Sequence, residues 1–166
     1  MRGTFVTLGN ATQPFPRMLR ILDDATSVLS QPVFIQSGHT PWEASRGVTV
    51  VQFLSMEKFQ RYIAESEVVI MHAGAGSVIQ SIKVGKVPIV VPRRVFYGEH
   101  INDHQVEFAN FLATEGKVII VESAGDLTHA IESQRRSVLE VFQEPRLTSR
   151  VRDILHEYEI ELRKKS

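Results

Sequence analysis

The sequence predicts a doubly wound α/β domain, in which a mostly parallel sheet carries helices on both faces. Three observations carry this reading. Short apolar runs such as Val68-Val69-Ile70-Met71 and Val118-Ile119-Ile120-Val121 lack any polar alternation. Helix-length segments separate them. A glycine-containing turn, His72-Ala73-Gly74-Ala75-Gly76-Ser77, stands where one such run passes into a helix. Unbroken apolar runs suit strands covered on both faces, and their alternation with helices is the pattern of parallel α/β sheets.

In chain order, residues 4–8 form a first β-type run, closed by the turn-prone pair Gly9-Asn10 and a loop through Pro14 and Pro16. Met18, Leu19 and Leu22, with Val28 and Leu29 further on, keep helical spacing. Residues 32–36 read as a second strand ending at Ser37-Gly38, and 48–53 as a third. Ser55 stands as an N-cap before the apolar stripe Phe59, Tyr62 and Ile63. Residues 68–71, 87–91 (interrupted by Pro88) and 118–121 supply further strands, with helices over 77–84 and roughly 99–115 between them. From 147 to 166, Val151, Leu155, Tyr158 and Leu162 recur among charged residues and predict a C-terminal amphipathic helix. Such a helix packs back on its own sheet or docks a partner. No repeat or linker divides the chain, so 1–166 is read as one domain.

Composition narrows the function. The 166 residues are 43% hydrophobic and 23% charged, as in an ordinary globular domain. Nineteen Lys and Arg balance nineteen Asp and Glu, so no broad positive field exists to hold a nucleic-acid backbone. The absence of cysteine removes disulfides, a thiolate nucleophile and a thiolate metal site. The N-terminus has neither the apolar stretch nor the cleavage site of a signal peptide, and no run approaches the ~20 apolar residues of a membrane span. The expectation is a cytoplasmic protein, brought to any membrane by a partner.

Two clusters carry chemistry. The turn from His72 to Ser77 offers small residues, which let a ligand approach the backbone, and a helix start whose free amides and dipole favour an anion. It falls beyond the carboxyl end of a strand, where open α/β sheets bind ligands. The second cluster, Tyr97-Gly98-Glu99-His100-Ile101-Asn102-Asp103-His104-Gln105, gathers amides and carboxylates suited to paired sugar hydroxyls. If the helix begins near Glu99, His100 and His104 share one face at i, i+4, which leaves a metal site as an alternative. No third ligand is spaced to complete it. His39, Trp42 and the pair Arg93-Arg94 are weaker candidates. No nucleophile, base and acid can be placed together.

These motifs resemble the C-terminal, donor-binding domain of family 28 glycosyltransferases, the group that includes the peptidoglycan enzyme MurG. The stretch from Phe53 to Glu122 carries the likeness. It is similar to the small stand-alone subunits built from that domain, namely the catalytic subunit of the eukaryotic dolichol-linked UDP-N-acetylglucosamine transferase and the PssE-type subunits of bacterial polysaccharide synthesis. Val91-Pro92-Arg93 followed by Gly98-Glu99-His100-Ile101-Asn102-Asp103-His104-Gln105 looks most like the bacterial group.

The resemblance implies a Rossmann-like half of a GT-B fold that binds a UDP-sugar, with no cofactor and no essential metal. It implies that Gly9 and Asn10 face the cleft, and that the backbone at Phe53 and Leu54 meets the uracil edge. The loop containing His72 and Gly74 would bring the amides of Ala75, Gly76 and Ser77 to the diphosphate. His104 and Gln105, beside Glu99, would meet the donor sugar. One position departs from the family pattern, since Gln80 stands where a glutamate usually binds the ribose. The acceptor and the base would belong to a membrane-anchored second glycosyltransferase subunit and its lipid-linked sugar acceptor, in surface-polysaccharide synthesis. A nucleotide-binding scaffold without transfer activity, and the dolichol-linked role, are the alternatives.

Overall fold

A computed structural model describes residues 3–42 and 47–137, so the helix expected over 147–166 lies outside the described residues. The elements are β1 (Thr4–Thr7), α1 (Pro16–Asp24), β2 (Val33–Gln36), β3 (Val48–Val51), α2 (Met56–Glu65), β4 (Val68–His72), α3 (Ala75–Lys83), β5 (Ile89–Val91), α4 (His104–Thr114), β6 (Ile119–Ile120) and α5 (Ala124–Ser137). All six strands run parallel in the order β3-β2-β1-β4-β5-β6. The expected α/β sheet is present.

Both faces of that sheet are covered, and strand alternation decides what each face touches. On β4, Val68 and Ile70 enter a core with Met18 and Leu22 of α1 and Leu127 and Ile131 of α5. Val69 and Met71 enter the opposite core, with Ile63 of α2, Val78 and Ile82 of α3, and Phe108 and Leu112 of α4. A strand buried on both sides has no use for polar residues, hence the unbroken apolar run.

Helices α1, α4 and α5 depart from the sequence reading. Helix α1 stops at Asp24, and Thr26–Val28 forms a separate 3-10 turn in which the Thr26 hydroxyl donates to the carbonyls of Leu22 and Asp23. Helix α4 begins at His104 and not near residue 99. A 3-10 turn at Val95–Tyr97 ends in Gly98 at φ +67°, and the Asn102 side-chain oxygen accepts from the His104 amide. His100 therefore precedes the helix, and the shared i, i+4 face with His104 does not form. Helix α5 was not foreseen. Its start is nonetheless written in a reciprocal cap, in which the Ser123 hydroxyl accepts from the Asp126 amide and the Asp126 carboxylate accepts from that of Ser123.

Among the described residues no helix is long and apolar enough to cross a membrane.

Candidate functional site

The chain leaves β1 towards β2 and leaves β4 towards β5, although β1 and β4 are neighbours. The loops after these two strands therefore part, and a crevice opens between them at their carboxyl ends. A cleft of about 690 Å³ lies there.

Its floor is a tight sandwich. The His72 ring, at the end of β4, sits between Gly9 and Gly74. A Cβ on Gly9 would come within 2.5 Å of that ring, and one on Gly74 within 2.2 Å. Gly9 also holds φ +81°, which L side chains avoid. Burial, helped by the nearby Arg93 charge, pushes the His72 pKa down to about 4. The ring is neutral at physiological pH.

One wall is the start of α3. Gly74 caps it without a side-chain bond, and the first helical bond runs from the Val78 amide to the Gly74 carbonyl. The amides of Ala75, Gly76 and Ser77 thus end without partners among the described residues, beside the positive pole of the helix dipole. A Cβ at Gly76 would meet nothing within 4 Å, so the space above it is the cleft itself.

The other polar groups present hydrogen-bond donors as well. The Gln105 side-chain oxygen accepts from the Arg93 amide at 3.2 Å, which turns the Gln105 NH2 group to the cleft it lines. On α3, Gln80 also lines the cleft, and its oxygen accepts from the Gln60 side chain of α2 at 3.1 Å. Asn10 has its oxygen bonded to the Gln36 side chain at 2.9 Å. Leu54, Met56 and Phe59 form an apolar wall next to Gln80. Free amides, the NH2 groups of Asn10 and Gln105 and an apolar wall suit a ligand rich in oxygen acceptors that also carries a planar ring.

Most of the residues implied by the resemblance line this cleft: Gly9, Asn10, Leu54, His72, Gly74, Ala75, Gly76, Ser77, Gln80, His104 and Gln105. Two do not. Glu99 is 2% exposed, and its carboxylate accepts from Arg17 Nε (2.9 Å) and Nη2 (2.8 Å) and from the Arg94 amide. Both oxygens are committed to fixing the β5–α4 loop on α1, so no sugar contact is open to Glu99. Phe53 is exposed, with its ring centroid 5.2 Å from that of His39, and is not part of the lining. Conversely, Thr7, Gln36, His100 and Asn102 line the cleft without having been singled out as donor contacts. The parallel register places Thr7 opposite Met71 and explains how β1 reaches it.

The paired arginines part company. Arg94 lies at the surface with Glu122, at 2.5 Å. Arg93 is 1% exposed and donates to the carbonyls of Leu8, Gln13 and Glu99, beneath the cleft. Burial draws its pKa down to about 10, with Glu99 acting the other way, so it remains a cation at neutral pH. Trp42 is half-buried against the α1 core.

Curated relatives are the UDP-N-acetylglucosamine transferase subunit ALG13 of Mus musculus, 31% identical over 129 residues, and that of Homo sapiens, 31% over 133. Each match takes in 70% of this chain; the chain spans 10% of the mouse protein and 11% of the human one. Among solved structures, the glycotransferase of kitacinnamycin superposes with a TM-score of 0.59 at 18% identity, over 97% of this chain and 38% of the other. Acinetobacter baumannii MurG superposes with 0.53 at 19% identity, over 81% and 41%. At such identities these two show the shared fold, a Rossmann-like half of a GT-B architecture. The model of the glycosyltransferase family 28 C-terminal domain matches residues 5–158, and the chain belongs to that family.

Proposed function

We propose that this chain is the donor-binding subunit of a two-component glycosyltransferase, holding a UDP-sugar in the cleft between β1 and β4. The observation that carries the reading is the hydrogen-bond polarity of that cleft. The amides of Ala75, Gly76 and Ser77 and the NH2 groups of Asn10 and Gln105 all offer donors to one space. A diphosphate and a sugar present oxygen acceptors in return. Preorganised donors and a helix N-terminus stabilise the charge that builds on a leaving diphosphate. On this reading no divalent cation is essential.

The pocket wall of Leu54, Met56 and Phe59 takes the uracil, and Gln80 beside it takes the ribose. His104 and Gln105 meet the donor sugar. The acceptor, a lipid-linked sugar, and the base that deprotonates it come with a membrane-anchored second subunit, to which this chain is bound on the cytoplasmic side. The setting is bacterial surface-polysaccharide synthesis. The curated relatives, named as subunits of a UDP-N-acetylglucosamine transferase, favour UDP-N-acetylglucosamine as the first donor to test.

Calorimetry of the purified chain against a panel of UDP-sugars tests donor binding. Gly76→Val should fold, because a side chain there meets open space, and should lose UDP. Ser77→Ala should weaken UDP by about 1.5–3 kcal/mol through loss of a bond to a charged oxygen. Wild-type affinity in a folded Gly76→Val variant would overturn the site. Transfer to membrane lipid is then assayed with and without the product of a neighbouring membrane-protein gene. Binding without transfer in the complete complex would leave a scaffold.

A further inference from the structure

From the hydrogen-bond chain behind the β1 loop we infer that Gln36 is a positioning residue that gives Asn10 its polarity, so that Asn10 donates to the diphosphate. The inference rests on the donor-site reading above and assigns one group of the ligand to one side chain.

The chain starts at a backbone group whose direction is fixed. The Gly9 amide donates to Thr7 Oγ1 at 3.2 Å. The Thr7 hydroxyl donates to Gln36 Oε1 at 3.2 Å, and this gives its buried proton an acceptor that nothing else among the described residues supplies. Gln36 then has only its NH2 end left, and this donates to Asn10 Oδ1 at 2.9 Å. Asn10 Nδ2 remains, without a partner among the described residues, on a side chain that lines the cleft. A free asparagine amide turns either end to a ligand. Here the main chain, acting through two buried side chains, chooses the nitrogen.

Thr7 is fully buried and Gln36 is 4% exposed, so both sit where an unmade hydrogen bond is costly and the order of the chain is kept. The place Asn10 occupies follows from the register. Thr7 pairs with Met71, and two residues further on Gly9 packs against His72, whose other side touches Gly74. Asn10 therefore stands across the floor from the start of α3. The group between them is the one held by the α3 amides, namely the diphosphate. Donors then face it from both sides.

A positioning residue acts only through the group it holds, so the test is a double-mutant cycle on two probes, UDP and uridine. Asn10→Ala should lower UDP affinity about 10- to 150-fold, the worth of one hydrogen bond to an anion, and leave uridine binding unchanged. Gln36→Met, which breaks the chain without adding charge, should do the same. The double variant should be no weaker than Asn10→Ala alone. Asn10→Asp leaves the buried pair Thr7–Gln36 intact, still accepts from Gln36, and turns an anionic oxygen to the cleft. It should lose UDP by more than Asn10→Ala and keep uridine, which preserves a test should Gln36→Met not fold.

The inference is overturned if the two single losses add in the double variant, if uridine falls together with UDP, or if Asn10→Asp binds UDP as the wild type does. Failure of the underlying reading looks different. There the unaltered chain binds neither UDP nor any UDP-sugar, and the relay falls with it.

Discussion

Replacing Arg93 by methionine asks how much of the cleft floor hangs on one buried cation. The guanidinium lies 4.5 Å from the Phe15 ring centroid and donates to Leu8 (2.8 Å), Gln13 (2.7 Å) and Glu99 (3.0 Å) carbonyls. One side chain thus ties the end of β1, the loop before α1 and the loop after β5. Methionine fills much of the same volume and donates nothing. At about 1–3 kcal/mol for each buried polar group left unbonded, the gross loss is roughly 3–9 kcal/mol. Relief from burying a charge opposes it by several kcal/mol, because the Glu99 carboxylate is given to Arg17 and does not pair directly with Arg93. The net expectation is a destabilisation of about 2–4 kcal/mol, a large part of a domain's usual 5–15 kcal/mol. Urea titration should show a lower midpoint at unchanged slope. The neighbour is the control. Arg94 pairs with Glu122 at side-chain exposures of 36% and 40%, and Arg94→Met should stay within about 1 kcal/mol of the wild type. Equal, small effects from both substitutions would refute the reasoning.

Acid should expose the buried histidine. The folded pKa of His72 is about 4 and lies below the unfolded value of about 6.5, so the unfolded chain binds the extra proton between them. The contribution is therefore full above pH 6.5 and fades as pH falls to 4, by about 3 kcal/mol. His72→Gln should flatten that part of the stability–pH curve, and an unchanged slope would mean the ring is not held neutral. The glycines should separate fold from ligand. Gly74→Ala drives a Cβ into the His72 ring and should cost about 1–3 kcal/mol in thermal or urea unfolding, whereas Gly76→Ala, facing open space, should not destabilise. Equal effects would displace His72 from its position between the glycines. Gln80→Glu gives a group that accepts from ribose hydroxyls in place of one whose oxygen is taken by Gln60, and should hold or raise UDP affinity in calorimetry. Gln80→Ala should lower it, and three equal affinities would turn Gln80 away from the ligand.

Much of the frame was legible because its causes are local. A strand covered on both faces must be apolar throughout, and β4 and β5 announce themselves that way. The α3 start was legible because small residues crowd a strand-to-helix turn: Gly74 has no room for a side chain beside His72, and Gly76 opens on the cleft. Helix α5 carried a local signal too, in the Ser123–Asp126 cap and the spacing of Leu127, Ala130 and Ile131, which the reading passed over. What escaped was decided by distant pairing. Glu99 looks like a sugar ligand until Arg17, 82 positions away, takes both its oxygens. Nothing near Arg93-Arg94 says that one will be the largest fully buried side chain among the described residues and the other a surface ion pair.

The same distinction separates which groups line the cleft from what those groups offer. Asn10, Gln80 and Gln105 were placed by type and position, yet an amide is a donor at one end and an acceptor at the other. For Asn10 and Gln105 the polarity is set by partners on other elements: Gln36 on β2 and the main chain of Arg93 after β5. Each partner takes the oxygen and leaves the nitrogen. Two amides turned the same way suit an acceptor-rich guest, because a donor-rich one would face two unmade bonds.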